Sequence, residues 1–508
     1  MSAVIEQVAA EASGGNMSEV ETVFARLADN VPALSLSTVE DRCARINKLV
    51  EVTLKYRQEI REAIREELKP SDVDIDGQLL MIKTEAEFAT KNLKHWVKDK
   101  PVQGSIMTLG KKSYIHYEAK GMVLVLGTWN APIAIGLVPA IGAIAAGCAV
   151  IIKPSELAPK SSALLKKIVE ESCADNEVAV VEGEAQTAQA LLAQPFNHIF
   201  YIGGHAVGKL VAKAAADHFA SITLEMGGKN PTIIDKSADL DEAALKTAWG
   251  RMCNGGQACV CPDYVLVDAS VVDEFTEKTK AALDNMYNAD GKGPENAEEF
   301  GRIVNKRHWA RIKGLLDDAL EKGAELVYGG ESNEDDCYIA PTVIRGVTHD
   351  MKIAGEEIFG PIMVIMPYQS REEAIAEIRK HPKPLSTYIF AKDREAIDYF
   401  IAHTTSGNMV VNHNVIQSGT NANLNFGGVN ASGVGRIGGF STFAECSNAR
   451  SVVEEGPALM DPKLFMPPYG DKYRKMVDDM LSKPVNIPNA VVNIINSLIK
   501  FKSLFSRK

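Results

Sequence analysis

The sequence predicts an α/β fold with two doubly wound domains. At 508 residues the chain is too long for one compact core, so more than one domain is expected. From Gly121 onwards, short apolar runs such as GMVLVLG alternate with helical segments, and residues 264–405 repeat this alternation. Such alternation is typical of parallel sheets that are covered by helices and bind ligands at the carboxyl ends of their strands.

The composition is that of a globular protein from a reducing compartment. Apolar residues make up 46% of the chain and charged residues 24%, and the net charge of −11 argues against a nucleic-acid partner. Eight cysteines without a dense framework or a secretory signal favour the cytoplasm. No apolar run reaches the roughly 18–20 residues that a spanning helix needs. Residues 1–18 are predicted to form a disordered leader.

Helices and an arm precede the first strand. Apolar residues recur at three- and four-residue spacing over residues 20–68, and Lys69-Pro70 ends that helical region. A second helix is predicted over residues 77–96. Residues 107–117 alternate like a hairpin or an extended arm, and both an ordinary surface ribbon and a bridge between subunits fit that pattern.

Two loops of the first domain are candidates for a dinucleotide site. Gly203 and Gly208 lie where a strand meets a helix, and glycine there lets a pyrophosphate approach the helix N-terminus. Their G-x4-G spacing differs from the dinucleotide fingerprint, so a plain turn is the alternative. Lys153 and Glu156 follow another strand end, where they either bind ribose hydroxyls or form a solvated polar loop.

The stretch RMCNGGQACVCP, residues 251–262, contains the candidate nucleophile. Cys259 follows a glycine-rich turn where N–H groups can converge on an oxyanion, and a thiolate is a strong nucleophile near neutral pH. A buried, inert thiol is the alternative. No second CxxC pair and no histidine at ligand spacing accompanies Cys253 and Cys261, so no metal site is expected. Cys261 is either a packed thiol or a reversible disulfide partner of Cys259.

Six ordered motifs together resemble the aldehyde dehydrogenase superfamily: WNAP, KPSE, LEMGGKNP, GQACVCPDY, EIFGP and FGGVNASGVG. The resemblance covers roughly residues 20–450, most of the chain. NLKHW, CPDY and the MPPYGDKYRKM tail are most similar to the class 3 branch, which includes fatty aldehyde dehydrogenases. The resemblance implies an aldehyde dehydrogenase-like fold, with two doubly wound α/β domains and a β-ribbon arm for bridging or oligomerisation.

The resemblance also implies the roles of matching residues. Cys259 would attack the aldehyde carbon, and Asn130 with the Cys259 N–H would stabilise the oxyanion of the thiohemiacetal. Once hydride has passed to the nicotinamide, Glu225 would activate the water that hydrolyses the thioester. Among the implied cofactor-binding residues, Lys153 and Glu156 lie at the adenosine ribose, Gly203 and Gly208 at the pyrophosphate, Glu357 at the nicotinamide ribose and Phe359 against the nicotinamide side. Trp129 is also implied to bind the cofactor.

The implied cofactor is NAD, with NADP less favoured. Glu156 should repel the 2′-phosphate of NADP, although a mobile Lys153 could partly offset the repulsion. Two positions depart from the class 3 pattern: Ala131 stands where a bulkier residue is usual, and Asn425 precedes Phe426 where proline is common. Ala131 and Phe426 are therefore expected to line a wide tunnel that admits a bulky or long aldehyde.

Domain boundaries and a homodimer follow from the same resemblance. The implied parts are a leader over 1–18, an NAD-binding domain over 19–97 and 122–224, bridging segments over 98–121 and 413–455, a catalytic domain over 225–412, and a tail over 456–508. The arm at 107–117 and the strands near 409–412 would join two copies of the chain.

The C-terminal tail predicts an amphipathic helix over about residues 487–505. Residues 484–508 contain no acidic side chain, their apolar positions form a broad face, and Lys500, Lys502, Arg507 and Lys508 lie at the end. This pattern is typical of a helix lying on a membrane surface, and packing on the protein's own body or on a second subunit is the alternative. The expected location is the cytosolic face of an intracellular membrane.

The expected activity is oxidation of a long apolar or fatty aldehyde to its acid. Aromatic or apocarotenoid aldehydes are the alternative substrates. A CoA-acylating enzyme is a further alternative, which Glu225 argues against because those enzymes generally lack the base. The last alternative is a non-catalytic structural protein on the same fold. It predicts loss of Cys259, Glu225 or Asn130, and all three residues are present.

Overall fold

A computed structural model describes residues 14–104, 111–417, 421–455 and 466–482. The chain divides into two compact units. The first comprises the residues up to Leu93 together with Ala119–Cys446, and the second comprises Lys94–Glu118 and the residues from Ser447 onwards. Every residue that the sequence predicts for catalysis, cofactor binding or the tunnel belongs to the first unit.

Helices cover much of the described chain. They are α1 (Gly14–Ser35), α2 (Val39–Lys55), α3 (Arg57–Leu68), α4 (Asp72–Trp96), α5 (Ala134–Ala146), α6 (Pro159–Ser172), α7 (Ala185–Leu192), α8 (His205–Asp217), α9 (Leu240–Met252), α10 (Val272–Tyr287), α11 (Lys306–Glu321), α12 (Lys352–Gly355), α13 (Arg371–Arg379), α14 (Arg394–His403), α15 (Phe440–Glu445) and α16 (Asp471–Ser482). None of these described helices is long and apolar enough to cross a membrane.

The strands, in chain order, are β1 (Lys100–Pro101), β2 (Lys112–Ala119), β3 (Met122–Leu126), β4 (Ala149–Lys153), β5 (Val178–Val180), β6 (His198–Gly203), β7 (Ser221–Met226), β8 (Pro231–Ile234), β9 (Tyr264–Asp268), β10 (Glu325–Tyr328), β11 (Ser332–Asn333), β12 (Tyr338–Ile339), β13 (Thr342–Arg345), β14 (Ile362–Tyr368), β15 (Ser386–Phe390), β16 (Asn408–Val411), β17 (Gly433–Val434) and β18 (Ser447–Glu454).

The helical region predicted over residues 20–68 is three helices rather than one. Helix α1 already begins at Gly14, inside the range predicted as the leader. The Thr38 side chain accepts from the Asp41 N–H while the Asp41 side chain accepts from the Thr38 N–H, and this capping box starts α2. Tyr56 separates α2 from α3, so the apolar spacing alone predicted the helices but not their breaks.

Two parallel sheets form the centre of the first unit. In the first sheet the strands lie in the order β17-β7-β6-β3-β4-β5, and only the short β17 is antiparallel to its neighbour. In the second sheet the order is β10-β13-β14-β9-β8-β15-β16, with β10 antiparallel. Every residue of β3 and β4 is buried, as expected for central strands covered on both faces. The predicted pair of doubly wound α/β sheets is therefore confirmed.

The two sheets approach each other through one short connection. Strand β7 ends at Met226 and β8 begins at Pro231, so the carboxyl edge of the first sheet is followed almost at once by the amino edge of the second. Strand β9, which lies beside β8, begins at Tyr264, just after Cys259. The chain thereby brings Glu225 and Cys259 to the same place between the sheets.

The second unit contains a small sheet in the order β1-β2-β18. Strand β2 includes part of the predicted arm, and residues 105–110, which contain the rest, lie outside the described residues. Strand β18 is mostly exposed and carries ion pairs to β2, such as Lys112 with Glu454. Helix α16 is the last described element, so the predicted tail helix over 487–505 also lies outside the described residues.

Candidate active site

A strained turn presents Cys259 at the start of the second sheet. Helix α9 ends at Met252, and the next turn has positive φ at Asn254, Gly255 and Gly256. A side chain at Gly256 would collide with the backbone of Gly360, so glycine is required for the two loops to approach each other. The sequence therefore uses its NGG run to pack the cysteine loop against the EIFGP loop.

The Cys259 thiol and the Glu225 carboxylate line the same cavity, and each shifts the pKa of the other. Burial, followed by the charge of Glu225, raises the pKa of the thiol well above its ordinary value. Burial also raises the pKa of Glu225 to about 7, and the neighbouring Cys259 thiol only partly opposes this shift. Near neutral pH the thiol therefore keeps its proton, and Glu225, which is partly ionised there, is the group beside it that can accept a proton.

Asn130 is held beside this pair by the cysteine loop. Its side-chain Nδ2 donates to the backbone carbonyl of Gln257 at 3.0 Å, and its backbone carbonyl accepts from Asn254 Nδ2 at 3.1 Å. One Nδ2 hydrogen of Asn130 is left for a further acceptor. Within the described residues, neither Asn130 Oδ1 nor Glu225 Oε1 has a hydrogen-bond partner, although both atoms are buried. Buried polar atoms of this kind are expected where a ligand completes the site.

The residues predicted for the cofactor surround the switch point of the first sheet, where the strand order reverses between β3 and β6. Lys153, at the end of β4, donates from Nζ to Glu156 Oε2 at 2.7 Å. Helix α8 begins after Gly204 without a side-chain cap, which leaves its first N–H groups for an anion. A Cβ at Gly208 would lie 2.6 Å from Met226 Sδ, so glycine there lets α8 pack closely on β7.

Glu357 and Phe359 reach the same cleft from the second sheet. The Glu357 carboxylate occupies the space that a side chain at Gly227 would need, and it accepts from the Gly228 N–H. Burial and the charge of Asp263 raise the pKa of Glu357 to about 8. The Phe359 ring packs edge-on against Trp129, with centroids 5.7 Å apart.

This donor set fits a nicotinamide dinucleotide. It combines a lysine–glutamate pair at one strand end, an uncapped helix N-terminus and a buried carboxylate, which match a ribose, a pyrophosphate and a second ribose. No group of three or more potential metal ligands occurs in the described part of the chain. Cys253, Cys259 and Cys261 are free thiols, and the Cys261 thiol points to the Cys253 carbonyl at 3.7 Å.

A cavity of about 460 Å³ opens onto the Cys259–Glu225 pair. Ala131 and Phe426 both line it, together with Ile135, Val138 and Leu424. At its rim Val73, Leu80 and Leu424 are 79%, 63% and 59% exposed, so the wall and the mouth are both mainly apolar. The size lies within the range of small-molecule sites.

Sequence reasoning missed several buried polar residues around the site. Lys229, Asn230 and Asp263 are all at least nine-tenths buried. Gln257, in the cysteine loop, donates to the Arg302 carbonyl and accepts from the Val304 N–H, and so ties that loop to the segment before α11. Arg311 donates to the carbonyls of Glu357 and Ile358 at 3.2 and 2.7 Å. The sequence did contain a signal for these residues. Lys229, Asn230 and Asp263 stand directly beside apolar strands, and a charged or amide side chain in such a place is rarely buried unless it has a partner.

Comparison with known proteins identifies the family. The aldehyde dehydrogenase family model matches residues 2–452. The chain belongs to the aldehyde dehydrogenase family. It is 38% identical over 81% of its length to the dimeric NADP-preferring aldehyde dehydrogenase of Canis lupus familiaris, covering 92% of that protein. It is 37% identical to aldehyde dehydrogenase family 3 member A2 of Pongo abelii, covering 80% of this chain and 83% of that one.

Two staphylococcal proteins are also similar. The 4,4'-diaponeurosporen-aldehyde dehydrogenase of Staphylococcus aureus is 37% identical over 85% of this aldehyde dehydrogenase and 93% of its own length. A substrate-bound structure of Staphylococcus aureus AldH superposes with a TM-score of 0.85 at 35% identity, covering 90% of this chain and 99% of that one. The predicted fold and the resemblance to class 3 members are confirmed, and the protein is an oxidoreductase that acts on the aldehyde group with NAD(P).

Proposed function

We propose that this aldehyde dehydrogenase oxidises long apolar, fatty-type aldehydes to carboxylic acids. One observation carries the proposal: a single apolar cavity has Cys259, Glu225 and Asn130 among its lining residues and exposed apolar residues at its rim. A hydrocarbon chain entering such a cavity gains roughly 0.8 kcal/mol for each buried CH₂ group. The polar atoms at the Cys259 end then act on the only polar group of the substrate.

The proposed reaction starts with the Cys259–Glu225 pair. Glu225 takes the thiol proton as Cys259 Sγ bonds to the aldehyde carbon, and the carbonyl oxygen becomes an oxyanion. Asn130 Nδ2 and the Cys259 N–H stabilise that oxyanion. Lys153, Glu156 and Glu357 would hold NAD(P), which would supply the acceptor for the hydride. The aldehyde carbon loses its hydrogen as that hydride, and the carbon–oxygen double bond re-forms to give a thioester on Cys259. After Glu225 has released its proton, it takes one from water, which attacks the thioester and frees the acid and Cys259.

Hydrolysis is favoured over transfer to CoA because Glu225 lines the same cavity as Cys259 and lies close enough to shift the pKa of the thiol. A carboxylate in that position is within reach of a water molecule that approaches the thioester carbon. The protein should therefore turn over without a thiol acceptor.

Ala131 is proposed to keep the tunnel wide enough for a long chain. We expect Ala131→Phe to lower kcat/KM for hexadecanal at least about tenfold while changing kcat/KM for propanal by less than about threefold, since added bulk obstructs only the longer substrate. The measurement is NADH formation over a series of saturated aldehydes. Equal losses for both substrates would contradict a role in substrate length.

A conjugated apocarotenoid or aromatic aldehyde is a second candidate substrate. The similarity to a 4,4'-diaponeurosporen-aldehyde dehydrogenase supports it, as does the absence of a bulky side chain at Ala131. A higher kcat/KM for a rigid polyene aldehyde than for hexadecanal would favour this candidate over the fatty one.

Glu156 is proposed to make NAD the preferred cofactor. Partial burial opposes its ionisation, but the hydrogen bond from Lys153 holds the pKa of Glu156 below its ordinary value, so the carboxylate is charged at neutral pH. Lys153 is engaged by Glu156 and is less free to bind a 2′-phosphate. We expect Glu156→Gln to raise the NADP/NAD ratio of kcat/KM by about tenfold. Glu66→Gln, at a surface pair with Lys160, is the matched control.

The domain boundaries are proposed as predicted, with the NAD-binding part built on the first sheet and the catalytic part on the second. A homodimer is proposed through two strand edges. Strand β16 ends the second sheet and carries the exposed Val411, and β18 ends the small sheet. A strand at the edge of a described sheet can add a strand from a second copy of the chain. Met409→Pro removes one backbone N–H donor from β16 and should weaken strand pairing between two copies. Light scattering of this variant should then give the mass of a monomer.

Residues 484–508 are proposed to bind the cytosolic surface of an intracellular membrane. The segment is apolar, basic and free of acidic residues. We expect deletion of residues 485–508 to move the protein from the membrane fraction to the supernatant, while kcat/KM for propanal stays within about twofold because the described site residues are retained. An unchanged membrane fraction would refute the proposal.

A further inference from the structure

A buried ion pair lies directly behind the loop that carries Glu357. Lys229 and Asp263 form it, and their side chains are only 7% and 2% exposed. Lys229 follows the LEMGG strand end, and Asp263 precedes β9. The mechanism proposed above uses neither residue. Burying a charge pair costs desolvation free energy, so the hydrogen bonds that the pair makes indicate its role.

The pair holds the Glu357 loop on both sides. Lys229 Nζ donates to the carbonyls of Ile353 and Glu356 at 3.0 and 2.9 Å. The second carboxylate oxygen of Asp263 accepts from the Ile358 N–H at 2.8 Å. Residues on either side of Glu357 are thus fixed by charged hydrogen bonds, which are about twice as strong as neutral ones.

The segment that precedes Lys229 in the chain forms the surface against which the Glu357 carboxylate lies. That carboxylate packs on Gly227 and accepts from the Gly228 N–H, immediately before Lys229 in the chain. Lys229 therefore ties the backbone of the Glu357 loop to the strand end that contacts the Glu357 side chain. A shift of that loop would move the carboxylate relative to the cofactor cleft.

Asn230, the next residue, holds a different loop. Its Nδ2 donates to the carbonyls of Cys259 and Cys261 at 2.7 and 3.0 Å, and its Oδ1 accepts from the Ser386 N–H at 2.9 Å. Among the described residues, the side-chain hydrogen bonds of Asn230 go to the cysteine loop and to β15, and not to the Glu357 loop. Two consecutive side chains thus support two different parts of the site.

We propose that Lys229 and Asp263 are positioning residues that set Glu357 for cofactor binding, whereas Asn230 sets the loop of Cys259. The inference rests on the proposed roles of Glu357 and Cys259. Two consecutive residues of the KNP motif thus serve two functions: Lys229 supports cofactor binding, and Asn230 supports the reactivity of the nucleophile. Each function can be measured by a separate assay.

Cofactor binding is measured by calorimetry with NADH, which requires no turnover. We expect Lys229→Met to raise the Kd for NADH by about tenfold, similar to Glu357→Gln. Because Lys229 acts through Glu357, the Lys229→Met/Glu357→Gln double variant should bind no more weakly than Glu357→Gln alone. Lys120→Met is the matched control, since Lys120 also donates to a backbone carbonyl, that of Glu445 at the end of α15, away from the Glu357 loop.

Nucleophile reactivity is measured by hydrolysis of p-nitrophenyl acetate without cofactor. Cys259 attacks the ester carbon, p-nitrophenolate leaves, and water hydrolyses the thioester. We expect Asn230→Ala to lower this rate at least about tenfold while changing the Kd for NADH by less than about threefold, and Lys229→Met to show the reverse pattern.

Removing one member of a buried pair can unfold a protein, so a neutral pair is the second variant. Lys229→Met/Asp263→Asn removes both charges but keeps an acceptor for the Ile358 N–H, and it should still raise the Kd for NADH. An unchanged Kd, or additive weakening with Glu357→Gln, would overturn the inference. Ester hydrolysis that survives Cys259→Ser would instead overturn the proposed nucleophile, and the NADH titrations would still decide the role of Lys229.

Discussion

Replacing Cys259 with serine is expected to lower kcat for aldehyde oxidation by about three orders of magnitude or more. A serine hydroxyl is a far weaker nucleophile than a thiolate, and the carboxylate beside it has a pKa of only about 7. Proton transfer from hydroxyl to Glu225 would therefore be strongly uphill. The loss should appear in kcat, because the tunnel and the cofactor cleft do not depend on the sulfur.

Two measurements separate loss of chemistry from loss of structure. The Cys259→Ser variant should bind NADH as the wild type does by calorimetry, and mass spectrometry should detect no acyl adduct after incubation with hexadecanal and NAD. Cys261→Ser is the matched control, because this buried thiol donates to the backbone carbonyl of Cys253, which a serine hydroxyl can also do, and the variant should retain most of the activity. Acyl adducts on Cys261 or Cys253 would transfer the proposed role to another cysteine.

The succession of strands along the chain, and the loops at the ends of those strands, could be predicted from the sequence. Buried parallel strands are short apolar runs between glycines, and GMVLVLG and CAVIIK have this pattern. The positions of Lys153, Gly203 and Gly208 at one edge of the first sheet could be predicted from these strands, since the carboxyl ends of parallel strands lie along one edge of a sheet. Motif order then pointed to Cys259, Glu225 and Asn130, which the structure brings to one cavity.

What could not be predicted depends on distances between segments. The proximity of Glu225 and Cys259 arises because β7 ends where the loop before β9 begins, and periodicity within a segment carries no information about that approach. The same holds for Lys229, whose acceptors are the carbonyls of Ile353 and Glu356. Backbone carbonyls have no sequence signature, so a buried lysine that binds them can be recognised only by its improbable burial.

Replacing Glu225 with glutamine is expected to change the rate-limiting step to hydrolysis of the thioester. A glutamine amide cannot accept a proton from the thiol or from water, so both steps lose their base. A thiol can still ionise to solvent whereas water cannot, so hydrolysis should slow more than thioester formation and the acyl group should accumulate on Cys259. Steady-state kcat should fall by about two to three orders of magnitude, after a burst of NADH that approaches one equivalent per active site. Rapid-quench measurement of NADH and of the acyl adduct tests both parts.

The pH dependence provides an independent test of the same residue. Glu225 must be ionised to act as a base and its pKa is about 7, so the hydrolytic rate of the wild type should be lost as the pH falls through about 7. Burial is the main cause of the high pKa of Cys259, and the Glu225 charge adds to it. Removing that charge in Glu225→Gln should therefore lower the thiol pKa, and alkylation by iodoacetamide should begin at lower pH than in the wild type.

These two effects of Glu225→Gln have opposite directions, and this distinguishes a base from a merely structural carboxylate. A residue that only supported the fold would reduce alkylation and turnover together when replaced. A base beside the nucleophile should instead leave a more readily ionised thiol that forms the thioester and then fails to release it. A variant with slower alkylation at every pH and no NADH burst would show that Glu225 supports the loop rather than the chemistry.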